Sequence, residues 1–98
     1  MTGIQVVNGR LKLDGVDVGE AADRFGTPMF IYAGDSIETG VHDLKSALGD
    51  QVEVYYSIKA NPSVAICSLI RESGVDGAEI ASSGELIAAL HSGFEPST

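Results

Sequence analysis

The sequence predicts an α/β fold in which parallel strands are covered by helices. Three observations carry this. Apolar runs open near Met29, Val52 and Gly77, a recurrence of about 25 residues that suits repeated strand–helix units. Between them, apolar side chains return at helical spacing, as in Ile37, Val41, Leu44 and Leu48. Turn and capping residues punctuate the joins: Gly49-Asp50, Gly74 and Gly93. Three such units cannot close a barrel that needs eight. The chain is therefore either an open three-layer domain or one part of a longer protein. The second reading is preferred, because the third strand otherwise leaves an exposed parallel edge.

Before these units, Ile4 to Val18 reads as a short hairpin. Val6, Val7, Leu11 and Leu13 are strand formers, and Asn8-Gly9 and Asp14-Gly15 are strong turn signals. A short helix is expected from Gly19 to Phe25, ended by Gly26. Gly26-Thr27-Pro28 then breaks the chain. Met29 to Tyr32 is expected to be a buried strand. Asp35 or Ser36 caps the next helix. Val52 to Ile58 is the second strand of the series. Pro62 and Ser63 open a helix carrying Val64, Cys67 and Ile70 or Arg71 on successive turns. Gly77 to Ala81 is the third strand. Ser82 and Glu85 have the spacing of a capping box for a last helix that Gly93 terminates.

Composition narrows the partners. The 98 residues carry a formal net charge of −8 with an apolar fraction of 44%. That balance argues against nucleic acid and against an anionic membrane surface, since both need basic patches. No apolar run is long enough to span a bilayer. The single cysteine, Cys67, cannot form an internal disulfide, so a reducing cytoplasmic compartment is expected, with the thiol packed on a helix. His42 and His91 lie far apart with no ligand spacing and read as surface helix residues, so no metal site is expected.

The most informative stretch is Tyr55-Tyr56-Ser57-Ile58-Lys59-Ala60-Asn61-Pro62. Side chains alternate along a strand. Val54, Tyr56 and Ile58 share one face, expected against the helices. Tyr55, Ser57 and Lys59 share the other. Lys59 then stands at the carboxyl end of its strand, where α/β proteins bind ligands. If the next strand is adjacent and parallel, Glu79 points into the same space as Lys59 and could pair with it. An amine held out of water gives up its proton more readily, and a neutral amine attacks aldehydes. Taken singly, a lysine or a glutamate after a strand is usually a solvated surface group; the surrounding motif is what singles these out. Glu85 is explained by helix capping without chemistry.

The Tyr56-Ser57-Ile58-Lys59-Ala60-Asn61 motif resembles the cofactor-lysine motif of the alanine-racemase-fold decarboxylases, the group with diaminopimelate, ornithine and arginine decarboxylases. Gly26-Thr27-Pro28-Met29-Phe30-Ile31-Tyr32 resembles the segment by which these enzymes enter their barrel. Gly77-Ala78-Glu79-Ile80-Ala81-Ser82-Ser83-Gly84-Glu85-Leu86 fits the family in order and spacing. The resemblance implies a partial (β/α)8, TIM-like barrel of about three βα units after an N-terminal β-hairpin, incomplete alone. It implies that residues 1–25 join a separate β domain and that residues 26–98 begin the barrel. It also implies pyridoxal 5'-phosphate held as a Schiff base on Lys59, with Ser57 and Glu79 beside the cofactor, and a carbanion stabilised by the cofactor after loss of CO2.

The same resemblance implies an amino-acid substrate and a homodimer. The opening through residue 32 is most similar to the diaminopimelate enzymes. Glu79 stands where aspartate is the commoner family residue. The glycine-rich phosphate loop, the ring-stacking histidine and the acidic partner of the pyridine nitrogen are expected beyond residue 98, so this stretch alone is expected to be inactive. An alanine-racemase-like enzyme of the same fold, or a non-catalytic module that binds the cofactor or packs on a related chain, are the other readings.

Overall fold

In a computed structural model, residues 3–97 are described. They fall into two compact units, divided after Ile37.

The first unit opens with an antiparallel sheet of β1 (Ile4–Val7), β2 (Arg10–Leu13) and β3 (Val16–Asp17), in that order. Both turn signals act as read. Asn8 and Gly9 take φ of 52° and 75°, Asp14 and Gly15 take 49° and 82°. Positive φ at both central residues is what matches a tight turn to the twist of the strands it joins. The second turn adds β3, a strand the hairpin reading lacked. Helix α1 (Val18–Phe25) follows directly. Its N-cap is Asp17, whose Oδ1 accepts from the Glu20 N–H at 3.1 Å and whose carboxylate also pairs with Arg10. That guanidinium holds the Asp17 carboxyl at about 2, with the Glu20 N–H adding to the effect. Gly26 ends the helix, donating to the Ala22 carbonyl at 2.8 Å.

The expected strand at Met29 to Tyr32 does not form. These residues have no regular structure, and Phe30 is 91% exposed. An apolar run becomes a strand only when a neighbour supplies a ladder, and none pairs with it among the described residues. Helix α2 (Gly34–Leu48) starts before both expected caps, one residue ahead of Asp35 and two ahead of Ser36. Asp14 does the capping from outside: its Oδ2 accepts from the Asp35 N–H at 3.3 Å, while its Oδ1 accepts from Gly3 at 2.6 Å. The division between the units lies inside α2. The apolar positions of this helix are only partly covered: Ile37 and Val41 are half-buried, whereas Leu44 and Leu48 are exposed.

The second unit continues with β4 (Tyr55–Ser57), a 3-10 turn (Ile58–Ala60), α3 (Val64–Ser73), β5 (Gly77–Glu79) and α4 (Ser83–His91). β4 and β5 pair in parallel, with Tyr55 opposite Gly77, Tyr56 opposite Ala78 and Ser57 opposite Glu79. Both strands are shorter than their apolar runs. At the start of β4, the Asp76 side chain takes the Val54 N–H, and Lys45 from α2 clamps the same Oδ2 at 2.6 Å. At the end of β5, the Ala81 N–H donates to Glu85 Oε1 at 3.0 Å instead of to a ladder. Glu85 and Ser82, whose Oγ accepts from the Glu85 N–H, together start α4 as the spacing predicts.

The core of this unit is Ile58, Cys67, Ala89 and Phe94, with Tyr56, Val75, Ala78 and Ala88 packed on it. Cys67 is the buried helical thiol expected, and burial pushes its thiol up from the usual range. Gly74 closes α3 in the left-handed conformation. His42 and His91 are exposed on α2 and α4, and no group of metal-ligating side chains occurs among the described residues. None of the described helices is long and apolar enough to cross a membrane.

Candidate functional site

Strand alternation puts Tyr56 and Ile58 against the helices, and Ile58 is fully buried. The polar face of the β4–β5 pair then carries Ser57 and Glu79, directly opposite each other in the register. The Ser57 hydroxyl donates to Glu79 Oε2 at 2.7 Å. The two strands thus bring two of the expected site residues into contact.

Lys59 is placed differently from the expectation. The strand ends at Ser57, and Lys59 is the middle residue of the 3-10 turn that follows the carboxyl end of β4. It is exposed, not buried. Glu79 forms no ion pair with it among the described residues, and its Oε2 accepts from the Ser57 hydroxyl. Among the described residues Lys59 joins no ion pair. The physical reason is local. Ile58 must drive its side chain into the core, and the chain tightens at that point to bring Asn61 back over α3.

The turn that carries Lys59 is pinned by groups the sequence reading did not assign to the site. The Asn61 carbonyl accepts from the Tyr56 hydroxyl at 2.9 Å and from the Cys67 thiol at 3.3 Å. Asn61 Oδ1 accepts from the Ser63 N–H at 3.0 Å, which orients the start of α3. One carbonyl therefore ties the strand, the turn and the helix together. A polar hydroxyl on the otherwise apolar face of β4 was the available signal, since a buried tyrosine tip needs an acceptor.

Two grooves among the described residues lie away from these side chains. One in the first unit is apolar, about 450 Å³, with Phe25, Met29, Phe30 and Tyr32 among its walls. A smaller one of about 90 Å³ lies beside Phe94 and Leu90.

The chain is similar to known proteins over most of its length. Residues 34–98 match the family described as pyridoxal-dependent decarboxylase, pyridoxal binding domain. An L-glutamyl-(BtrI acyl-carrier protein) decarboxylase of Niallia circulans is 38% identical over 84 residues, covering 86% of this chain and 19% of its own length. The diaminopimelate decarboxylase of Aquifex aeolicus is 35% identical over 89 residues, covering 91% of this chain and 21% of its own length. Among solved structures, diaminopimelate decarboxylase from M. jannaschii in co-complex with L-lysine superposes with a TM-score of 0.79 at 29% identity, over 94% of this chain and 23% of that one. The chain spans about a fifth of the length of the curated relatives it matches. It belongs to the pyridoxal-dependent decarboxylase family, and residues 34–98 are part of the pyridoxal-binding domain.

Proposed function

We propose that this chain is the lysine-bearing segment of a PLP-dependent amino-acid decarboxylase, with Lys59 as the amine that holds the cofactor. The observation that carries the reading is the Tyr56-Ser57-Ile58-Lys59-Ala60-Asn61 motif, which lies within the residues matched to the pyridoxal-binding domain and sets Lys59 just past the carboxyl end of β4. Ser57 and Glu79 stand on the adjoining strand ends and would line the cofactor's near side. When bound, the cofactor supplies an electron sink for the electron pair left as CO2 departs.

The chain's own residues act by holding position. Asn61 fixes the turn from which Lys59 projects, through its bonds to Tyr56 and Cys67. Ile58 anchors that turn in the core, so the lysine's backbone has a firm base while its side chain remains free. Glu79 keeps a carboxylate oxygen beyond the one taken by Ser57, an acceptor for a donor on an incoming amino acid.

The substrate class proposed is a small amino acid, diaminopimelate first, and the enzyme a cytoplasmic homodimer whose remaining parts complete the site. On this reading residues 1–25 pack with a separate β domain, residues 26–98 begin a (β/α)8 barrel, and residues 1–98 alone do not turn over substrate. The likeness to the diaminopimelate decarboxylases supports that choice. The 38% identity to the Niallia circulans relative supports a second substrate class, an amino acid carried on an acyl-carrier protein.

The test is chemical trapping. The full-length protein is mixed with pyridoxal phosphate, reduced with borohydride, and mapped by peptide mass. The reading expects the adduct on Lys59. Labelling spread evenly over Lys12, Lys45 and Lys59 would overturn it.

A further inference from the structure

We infer that Ser57 is a positioning residue whose hydroxyl holds the Glu79 carboxylate away from Lys59, so that the lysine amine stays free to react with an aldehyde. The inference rests on the proposed role of Lys59 and adds a device that keeps it available.

Three features meet here. Ser57 and Glu79 are cross-strand partners, and neighbouring strands lie about 4.8 Å apart. A glutamate reaches a serine hydroxyl across that gap, as the 2.7 Å contact shows. Lys59 is two residues past Ser57, no more than about 7 Å further along the chain. Glutamate and lysine side chains are each long enough to close that distance. An exposed ammonium within reach of an acid on the adjoining strand can pair with it. It does not, and the acid's Oε2 is instead occupied by the Ser57 hydroxyl. The serine bond fixes the Glu79 carboxylate on its strand partner, so the second oxygen, Oε1, is oriented with it and is not swung toward Lys59. An ammonium paired with a carboxylate keeps its proton and is a poorer nucleophile.

Reductive methylation with formaldehyde and cyanoborohydride tests this on the full-length protein freed of cofactor. The small aldehyde reads amine reactivity without requiring a cofactor pocket. Lys12 serves as the internal reference, and Lys45, held by Asp76, reports that the fold is intact. Ser57→Ala releases Glu79, and Lys59 methylation slows about two- to fivefold relative to Lys12, the scale of an exposed ion pair. Ser57→Thr keeps the hydroxyl and keeps the wild-type rate. Ser57→Ala with Glu79→Gln removes the competing charge and restores it. An unchanged Lys59 rate in Ser57→Ala overturns the inference, as does a slowed rate that Glu79→Gln leaves slow. Failure of the cofactor reading shows separately, as absence of pyridoxal phosphate labelling at Lys59 in the wild-type protein.

Discussion

Val54 and Asp76 bond to each other twice. The Val54 N–H donates to Asp76 Oδ2 at 2.7 Å, and the Asp76 N–H donates to the Val54 carbonyl at 2.8 Å. The pair closes the open end of the β4–β5 ribbon, opposite the end where Ser57 meets Glu79. Lys45 completes it from α2. Asp76→Ala leaves the Val54 N–H and the Lys45 ammonium without this acceptor. The melting temperature is expected to fall by roughly 4 °C or more, read by circular dichroism.

The same carboxylate gives a pH signature. Lys45, and after it the Val54 N–H, hold the Asp76 carboxyl below its usual value of 3.8. A depressed folded value means the contact stabilises fully above 3.8 and loses its effect as pH falls through the lower folded value. Wild-type stability should therefore decline on acidification in that window, and Asp76→Asn should flatten the decline. Equal slopes in the two proteins would contradict the assignment.

Asp17 offers a sharper titration. With Arg10 beside it, its carboxyl is held at about 2, against an ordinary 3.8. Its share of stability is complete above 3.8 and is lost as pH drops toward 2. In Arg10→Ala the Asp17 carboxyl should titrate nearer 3.8, observed by carbon-detected NMR.

Gly93 is confined by two constraints. Its φ is 93°, and a Cβ there would sit 2.7 Å from Arg71 Nε. That guanidinium donates to the Ser92 carbonyl at 2.9 Å, capping the end of α4. Gly93→Ala should cost about 1–2 kcal/mol from the left-handed conformation. Gly93→Ala combined with Arg71→Ala separates the backbone cost from the collision, by comparing denaturation midpoints.

On the proposed reading, Lys59→Ala in the full-length protein lowers decarboxylation by about a thousandfold or more, since the amine takes part in every turnover. Thermal stability should hardly move, because Lys59 is exposed and joins no ion pair among the described residues. Near-normal turnover would remove the lysine from the chemistry.

Much of this was legible in the residues. Asn8-Gly9 and Asp14-Gly15 named their turns because few other residues accept positive φ. Ser82 and Glu85 named the start of α4, and Gly74 the end of α3, because capping chemistry is local. Strand alternation put Ser57 and Glu79 on the site side of their strands, but the register that sets them opposite each other is a property of the pairing, not of either strand alone. What failed depended on partners distant in sequence. Met29 to Tyr32 is apolar enough for a strand but finds no ladder among the described residues. The bounds of β4 and β5 were set by side chains, Asp76 and Glu85, that took over backbone donors. The expected Lys59–Glu79 pair is absent among the described residues, and Glu79 meets the Ser57 hydroxyl instead, a partner that charge alone does not reveal.

The position of Lys59 in a 3-10 turn has one more consequence. The ladder stops at Ser57, so no sheet hydrogen bond crosses the lysine's own peptide groups. In the proposed chemistry this amine must let go of its cargo and recapture it each cycle. It can swing like a door on a hinge bolted at Ile58 and Asn61, while the wall of strands behind it stays still.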